Sequence, residues 1–147
     1  MKLLLLALCC VASASAFLSG PGAAKIQGDL GKVKGKEVDI VYTVFKQNPD
    51  IYAKFTKFSG KTPDDIKSTP EFATLAKQII GTVGDYGAAL GDDAKVKAVL
   101  DKMASTHKPR GVTAALYKSF QKTVTSYLGV SGPEWDQFFS DLIAYVA

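Results

Sequence analysis

The chain holds one histidine, His107, and two cysteines, Cys9 and Cys10, in 147 residues. That inventory limits its chemistry. A serine nucleophile would have to recruit His107 as its base, and a zinc site ordinarily needs several His or Cys ligands. Neither an HExxH pair nor a glycine-rich phosphate loop is present. The acidic pairs Asp64-Asp65 and Asp92-Asp93 stand at expected helix starts. Carboxylates there cap backbone N–H groups and complement the dipole, so they read as caps before they read as acid–base pairs. His107 is therefore the residue to account for. A lone histidine on an apolar helix face is either a satisfied core residue or a ligand.

The elements that must place it are helical almost throughout, because apolar residues recur at spacings of three and four. Ile26, Leu30 and Val33 share a face, but Gly20, Gly22, Gly28 and Gly31 weaken that first stretch. Ile40, Val41, Val44 and Phe45 form a stripe between Glu37 and Lys46, broken by Asn48-Pro49, where Asn48 can cap a new short helix. Gly60 to Ile66 reads as loop plus one turn. Thr69-Pro70-Glu71 opens the clearest helix, with Phe72, Leu75, Ala76, Ile79, Ile80, Val83 and Leu90 on its apolar face. Its glycines, 81, 84 and 87, suggest close approach of a neighbouring helix. Asp92 or Asp93 caps the next helix, whose stripe runs Val96, Val99, Leu100, Met103, Ala104, His107. Lys108-Pro109 ends it, since the residue before proline is pushed out of the helical region. Leu116, Phe120, Val124 and Tyr127 mark one side of a helix begun at Thr113. Trp135, Phe138, Phe139, Leu142, Ile143 and Val146 mark the last, begun at Pro133. No alternating strand pattern stands out. The expected class is all-α, with six to eight helices.

Lys2, the apolar run Leu3 to Val11 and Ala14-Ser15-Ala16 fit a secretory signal, with the mature domain expected at residues 17–147. The run is too short to cross a bilayer. Both cysteines and Lys2 leave with residues 1–16, so the mature chain has no disulfide and its net charge falls by one from +4. The remaining cations are interleaved with acids, which argues against nucleic acid or a membrane surface as partner.

Three features bear on His107. It lies on the last turn of an amphipathic helix, so its ring turns inward. The helix from Thr69 offers a facing wall of Phe72, Leu75, Ile79 and Val83. Phe55 and Phe58 lie in a tight corner able to close the pocket edge. One imidazole beneath a flat apolar cofactor is what a five-coordinate haem needs.

Here the sequence resembles a known family. Val41-Tyr-Thr-Val-Phe-Lys-Gln-Asn-Pro49-Asp, Ala53-Lys-Phe55-Thr-Lys-Phe58-Ser-Gly-Lys61 and Ser105-Thr-His107-Lys-Pro-Arg-Gly-Val112 are similar to the globins, most of all to extracellular haemoglobins of chironomid midge larvae. The similarity runs from about Val33 to Tyr127. Pro49 followed six residues later by Phe55, and the distant histidine, match the globin pattern. The resemblance implies the globin fold, haem b with its iron, reversible binding of dioxygen and other diatomic gases, and secretion into haemolymph. It assigns His107 as the proximal ligand, Phe55 as the phenylalanine wedged against haem with Phe58 close by, and Ile79 as the apolar residue over the iron. Met103 falls one turn before the ligand, and Val112 and Phe120 at pocket-lining positions. Arg110 either reaches a propionate, which a guanidinium suits, or is a solvated surface residue.

The departure is on the distal side. Globins usually place histidine or glutamine where this chain has Leu75, and leucine donates no hydrogen bond. Gln78, three residues on, either swings in over the ligand or points into solvent. The final helix looks shorter than in relatives, and the stretch from Leu75 to His107 slightly longer. Two other readings stand beside an oxygen-binding, non-enzymatic globin. A haem protein with peroxidase- or nitric-oxide-type activity lacks a distal acid–base residue for peroxide cleavage. A haem-free carrier of apolar ligands would typically be rich in disulfides. Monomer and homodimer are both open.

Overall fold

Prolines and short polar side chains set where most of these helices begin. The computed structural model describes residues 16–147. The expected signal, with Cys9 and Cys10, lies outside the described residues except for Ala16. Eight α-helices and no strands occur among the described residues: α1 Gly20–Leu30, α2 Glu37–Gln47, α3 Pro49–Tyr52, α4 Pro63–Ile66, α5 Pro70–Ala89, α6 Asp93–His107, α7 Ala114–Leu128 and α8 Pro133–Val146. Single 3-10 turns lie at Gly31–Val33, Thr56–Phe58 and Lys108–Arg110.

The N-termini follow side-chain chemistry. Thr69 Oγ1 accepts the Phe72 N–H at 3.2 Å with Pro70 in the first turn of α5. Of the two aspartates before α6, Asp92 is the cap and accepts the Lys95 N–H at 3.2 Å, while Asp93 accepts the Ala16 N–H at 2.9 Å. Thr62 and Asp65 form a reciprocal capping box on α4. Asp64 instead takes the Tyr42 hydroxyl and Lys46. Asn48 does not cap α3: its amide nitrogen donates to Val44 O at 2.9 Å and to Thr123 Oγ1 at 3.0 Å. Burial decides this, because the amide lies beside the buried Thr123 of α7 and finds its partners there.

Two hydrophobic cores result. The first gathers α1, the C-terminal half of α5, α6 and α8 around Ile26, Tyr86, Leu100, Trp135, Phe138 and Phe139. The second gathers α2, α4 and the N-terminal half of α5 around Ile40, Val44, Phe45, Ile66, Phe72 and Ile80. Each large side chain fully withdrawn from water contributes about 1.5–3 kcal/mol. Tyr86, overlooked in the sequence pattern, stacks on Phe138 at 4.2 Å and donates its hydroxyl to Phe138 O at 3.0 Å.

Only one of the three α5 glycines marks a close approach. A Cβ on Gly87 would meet Leu30 Cδ1 at 2.2 Å, whereas Gly81 and Gly84 face open space. The expected face of α7 also needs correction. Tyr127 is 38% exposed and Tyr117 is buried. Its inward stripe runs Tyr117, Phe120, Val124, and a step of four from Val124 reaches Leu128, not Tyr127.

Candidate functional site

A cavity of about 470 Å³ opens among α2, α3, α5, α6, α7 and α8. From α2 come Val41, Val44 and Phe45. From α5 come Leu75, Gln78, Ile79, Thr82 and Val83. Phe139 and Leu142 of α8 complete the inner wall. The cavity therefore takes side chains from both cores. Met103 and His107 project from one face of α6, four residues apart, and Val112, Leu116, Tyr117 and Phe120 follow from the turn and α7.

The chain's one imidazole is oriented by its own helix. His107 Nδ1 lies 2.8 Å from Met103 O and 2.9 Å from Thr106 Oγ1. A carbonyl only accepts, so Nδ1 donates to it, and in the neutral tautomer that this bond selects the lone pair is on Nε2. Thr106 Oγ1 also donates to Met103 O, at 3.0 Å. The Tyr117 ring sits beside the imidazole, centroids 6.0 Å apart and tilted by 34°. Burial pushes the Tyr117 phenol up to about 12, so it lines the wall as a neutral group.

The rim differs from the interior. Lys54, Thr56 and Lys57 line it from the segment after α3, and Arg110 lines it from the turn after α6. No aspartate or glutamate lines the cavity. Among the described residues no group of three or more His, Cys, Asp or Glu could hold a metal ion. An apolar slot with one imidazole lone pair, a cationic rim and no carboxylate suits a flat, largely apolar cofactor with acidic side groups, which is what haem b is. His107 is the one imidazole in the wall, and its Nδ1 contact with a backbone carbonyl is the arrangement that orients metal-ligating histidines.

Of the residues singled out from the sequence, Phe55, Leu75, Gln78, Ile79, Met103, His107, Arg110, Val112 and Phe120 all lie in this wall. Phe58 does not. It is buried beside Phe72, ring centroids 6.4 Å apart, and meets Phe55 through its backbone, donating its N–H to Phe55 O at 2.9 Å. Leu75 and Ile79 are half-buried and Gln78 is exposed, so Gln78 stands at the rim rather than in the depth. Sequence reasoning missed Phe45, Tyr117 and Lys54 as wall residues. Phe45 was visible as part of the α2 stripe, and Lys54 as the neighbour of Phe55. Tyr117 is hidden because a face drawn through Leu116 and Phe120 passes it by, although all three line the cavity.

The family model described as Globin matches residues 38–145. Globin CTT-II beta of Chironomus thummi thummi is 43% identical over 131 residues, covering 87% of this chain and 82% of that relative. Globin CTT-E/E' of the same organism is 44% identical over 128 residues, covering 87% and 81%. Among solved structures, a hemoglobin component (TA-VII) from Tokunagayusurika akamusi superposes with a TM-score of 0.81 at 30% identity, covering 88% of this chain and 94% of that one. Ferric Aplysia limacina myoglobin superposes with a TM-score of 0.73 at 20% identity, covering 85% and 91%, a likeness of fold.

Proposed function

This chain belongs to the globin family, and from that premise we propose that it is a haem b protein that binds dioxygen reversibly, for transport or storage, with His107 as the proximal ligand. The observation that carries the reading is the engaged Nδ1 of His107, 2.8 Å from Met103 O, which leaves Nε2 free to ligate in a cavity lined by apolar side chains. Its relatives, globins and hemoglobins by name, agree with it. Haem, when bound, supplies an iron centre with reversible affinity for diatomic gases.

The chain's own residues do the rest. Met103 O holds the imidazole in one orientation and one tautomer. Phe45, Phe55, Ile79 and Phe120 exclude water from the cofactor's faces. Leu75 gives an apolar ligand side, and Gln78 brings the amide that can reach in from the rim. No second histidine or carboxylate in the wall is placed to shuttle protons for peroxide cleavage, which favours gas binding over peroxidase chemistry. The leader expected at residues 1–16 supports secretion. Among the described residues no helix is long and apolar enough to cross a membrane.

The test is a pair of spectra. Protein loaded with haemin and reduced is expected to give distinct visible spectra without ligand, with dioxygen and with carbon monoxide. His107→Ala is expected to lose the histidine-ligated signature. An unaltered proximal signature in that variant would end the assignment, and wild-type protein that takes up no haemin would end the haem reading itself.

A further inference from the structure

The rim of the cavity is asymmetric in a way that a flat apolar cofactor alone does not require. Every Asp, Glu, Lys or Arg in the cavity wall is a cation: Lys54, Lys57 and Arg110. None of the three cations belongs to any of the ion pairs found among the described residues. Lys57 leans over the Phe58 ring, its Nζ 5.9 Å from the centroid, and so is turned toward the corner. Lys54 takes a different course. It leaves the end of α3 and reaches the turn after α6, where a Cβ built on Gly111 would lie 3.5 Å from Lys54 Nζ. Gly111 has φ +66°, a left-handed conformation that glycine adopts at no steric cost. It leaves the turn without a side chain where the ammonium arrives. Lys54 thus spans the mouth from one wall to the other and meets the segment that carries Arg110.

We propose that Lys54 is a strap across the cavity mouth that selects a cofactor by its negative charge, its ammonium pairing with a carboxylate of the bound porphyrin beside the turn that carries Arg110. This rests on the haem reading above and adds to it a specificity-determining residue. A porphyrin inserted with its apolar edge inward leaves its acidic side groups at the rim, and there Lys54 and Arg110 approach from two different elements. Such a pair is solvent-exposed, so it acts by charge and is weakened by salt.

The experiment compares wild type with Lys54→Gln and Lys54→Arg, each loaded with haemin or with haemin dimethyl ester, which lacks both negative charges. The readout is the rate of porphyrin loss to excess apomyoglobin. Lys54→Gln is expected to lose haemin about two- to fivefold faster than wild type, in line with an exposed ion pair. Lys54→Arg is expected to stay near wild type, the difference is expected to shrink in high salt, and the ester is expected to leave wild type and Lys54→Gln at equal rates. Equal haemin loss from wild type and Lys54→Gln would overturn the strap. So would equal acceleration of haemin and ester, because Lys54 would then act by packing. Uptake of either porphyrin by wild type with a histidine-ligated spectrum keeps the haem reading intact in both cases.

Discussion

At the scale of single residues, the site turns on which nitrogen of His107 is engaged and which side chains can donate toward a gas. The first is set by Met103 O one turn back in the same helix. On α5, the helix facing His107, the second narrows to Gln78, because Leu75 has no donor and Thr82 Oγ1 already donates to Gln78 O at 2.8 Å. Gln78→Leu is expected to raise the dioxygen dissociation rate about fivefold, the equivalent of one net hydrogen bond of roughly 1 kcal/mol. Stopped-flow measurement settles it, and an unchanged rate would leave Gln78 in solvent. The wall positions of His107 and Leu75 were legible in the apolar stripes of their helices, whereas Gln78 was singled out by the globin resemblance and its direction was left open. Lys54 was not, because its path depends on where a turn more than fifty residues away comes to rest. The place of Phe58 was hidden in the same way: adjacency to Phe55 did not reveal that its ring would pack beside Phe72.

At the scale of elements, most caps and stripes were readable, with Asn48 and the edge of α7 as the exceptions, while contacts between helices were not. Thr69, Asp92 and Thr113 each cap the helix they precede, since capping is a local matter of three or four residues. The glycines of α5 show the limit of local reading. Gly81, Gly84 and Gly87 look alike in sequence, yet only Gly87 is pressed by α1 through Leu30. Gly87→Ala is expected to destabilise the protein by about 1–3 kcal/mol, as overpacking does. Gly81→Ala and Gly84→Ala, mid-helix and facing open space, are expected to stabilise it by up to about 1 kcal/mol each through helix propensity. Urea unfolding of the three variants distinguishes these signs. A neutral Gly87→Ala would mean that α1 can slide outward freely.

At the scale of the whole molecule, α1 is fastened to α8 by a hydrogen bond to a carboxylate as well as by packing. Asp29 receives Lys32 Nζ at 2.8 Å, the Trp135 indole N–H at 3.0 Å and Lys25 Nζ at 3.0 Å. Lys32, then the indole, then Lys25 hold its carboxyl well below its ordinary value of 3.8. A depressed carboxyl stabilises the fold above its unfolded value, and that contribution fades as pH falls through the folded one. Asp29→Asn is therefore expected to be less stable than wild type at pH 7, with the gap closing as pH drops below about 4. Denaturant titrations at stepped pH measure this, and a gap that stays constant would show that the charge of Asp29 is immaterial. None of this long-range fastening could be read in advance, for Asp29 and Trp135 stand 106 residues apart. The hydrophobic stripes announced that α1 and α8 each needed a partner without saying which. The same architecture gives the guest in the central slot a mechanical role. The two greasy clusters meet around that slot, so whatever fills it is the keystone of the arch: remove it, and each half keeps its own mortar but much of the thrust that makes them fall together, or stand together, is gone.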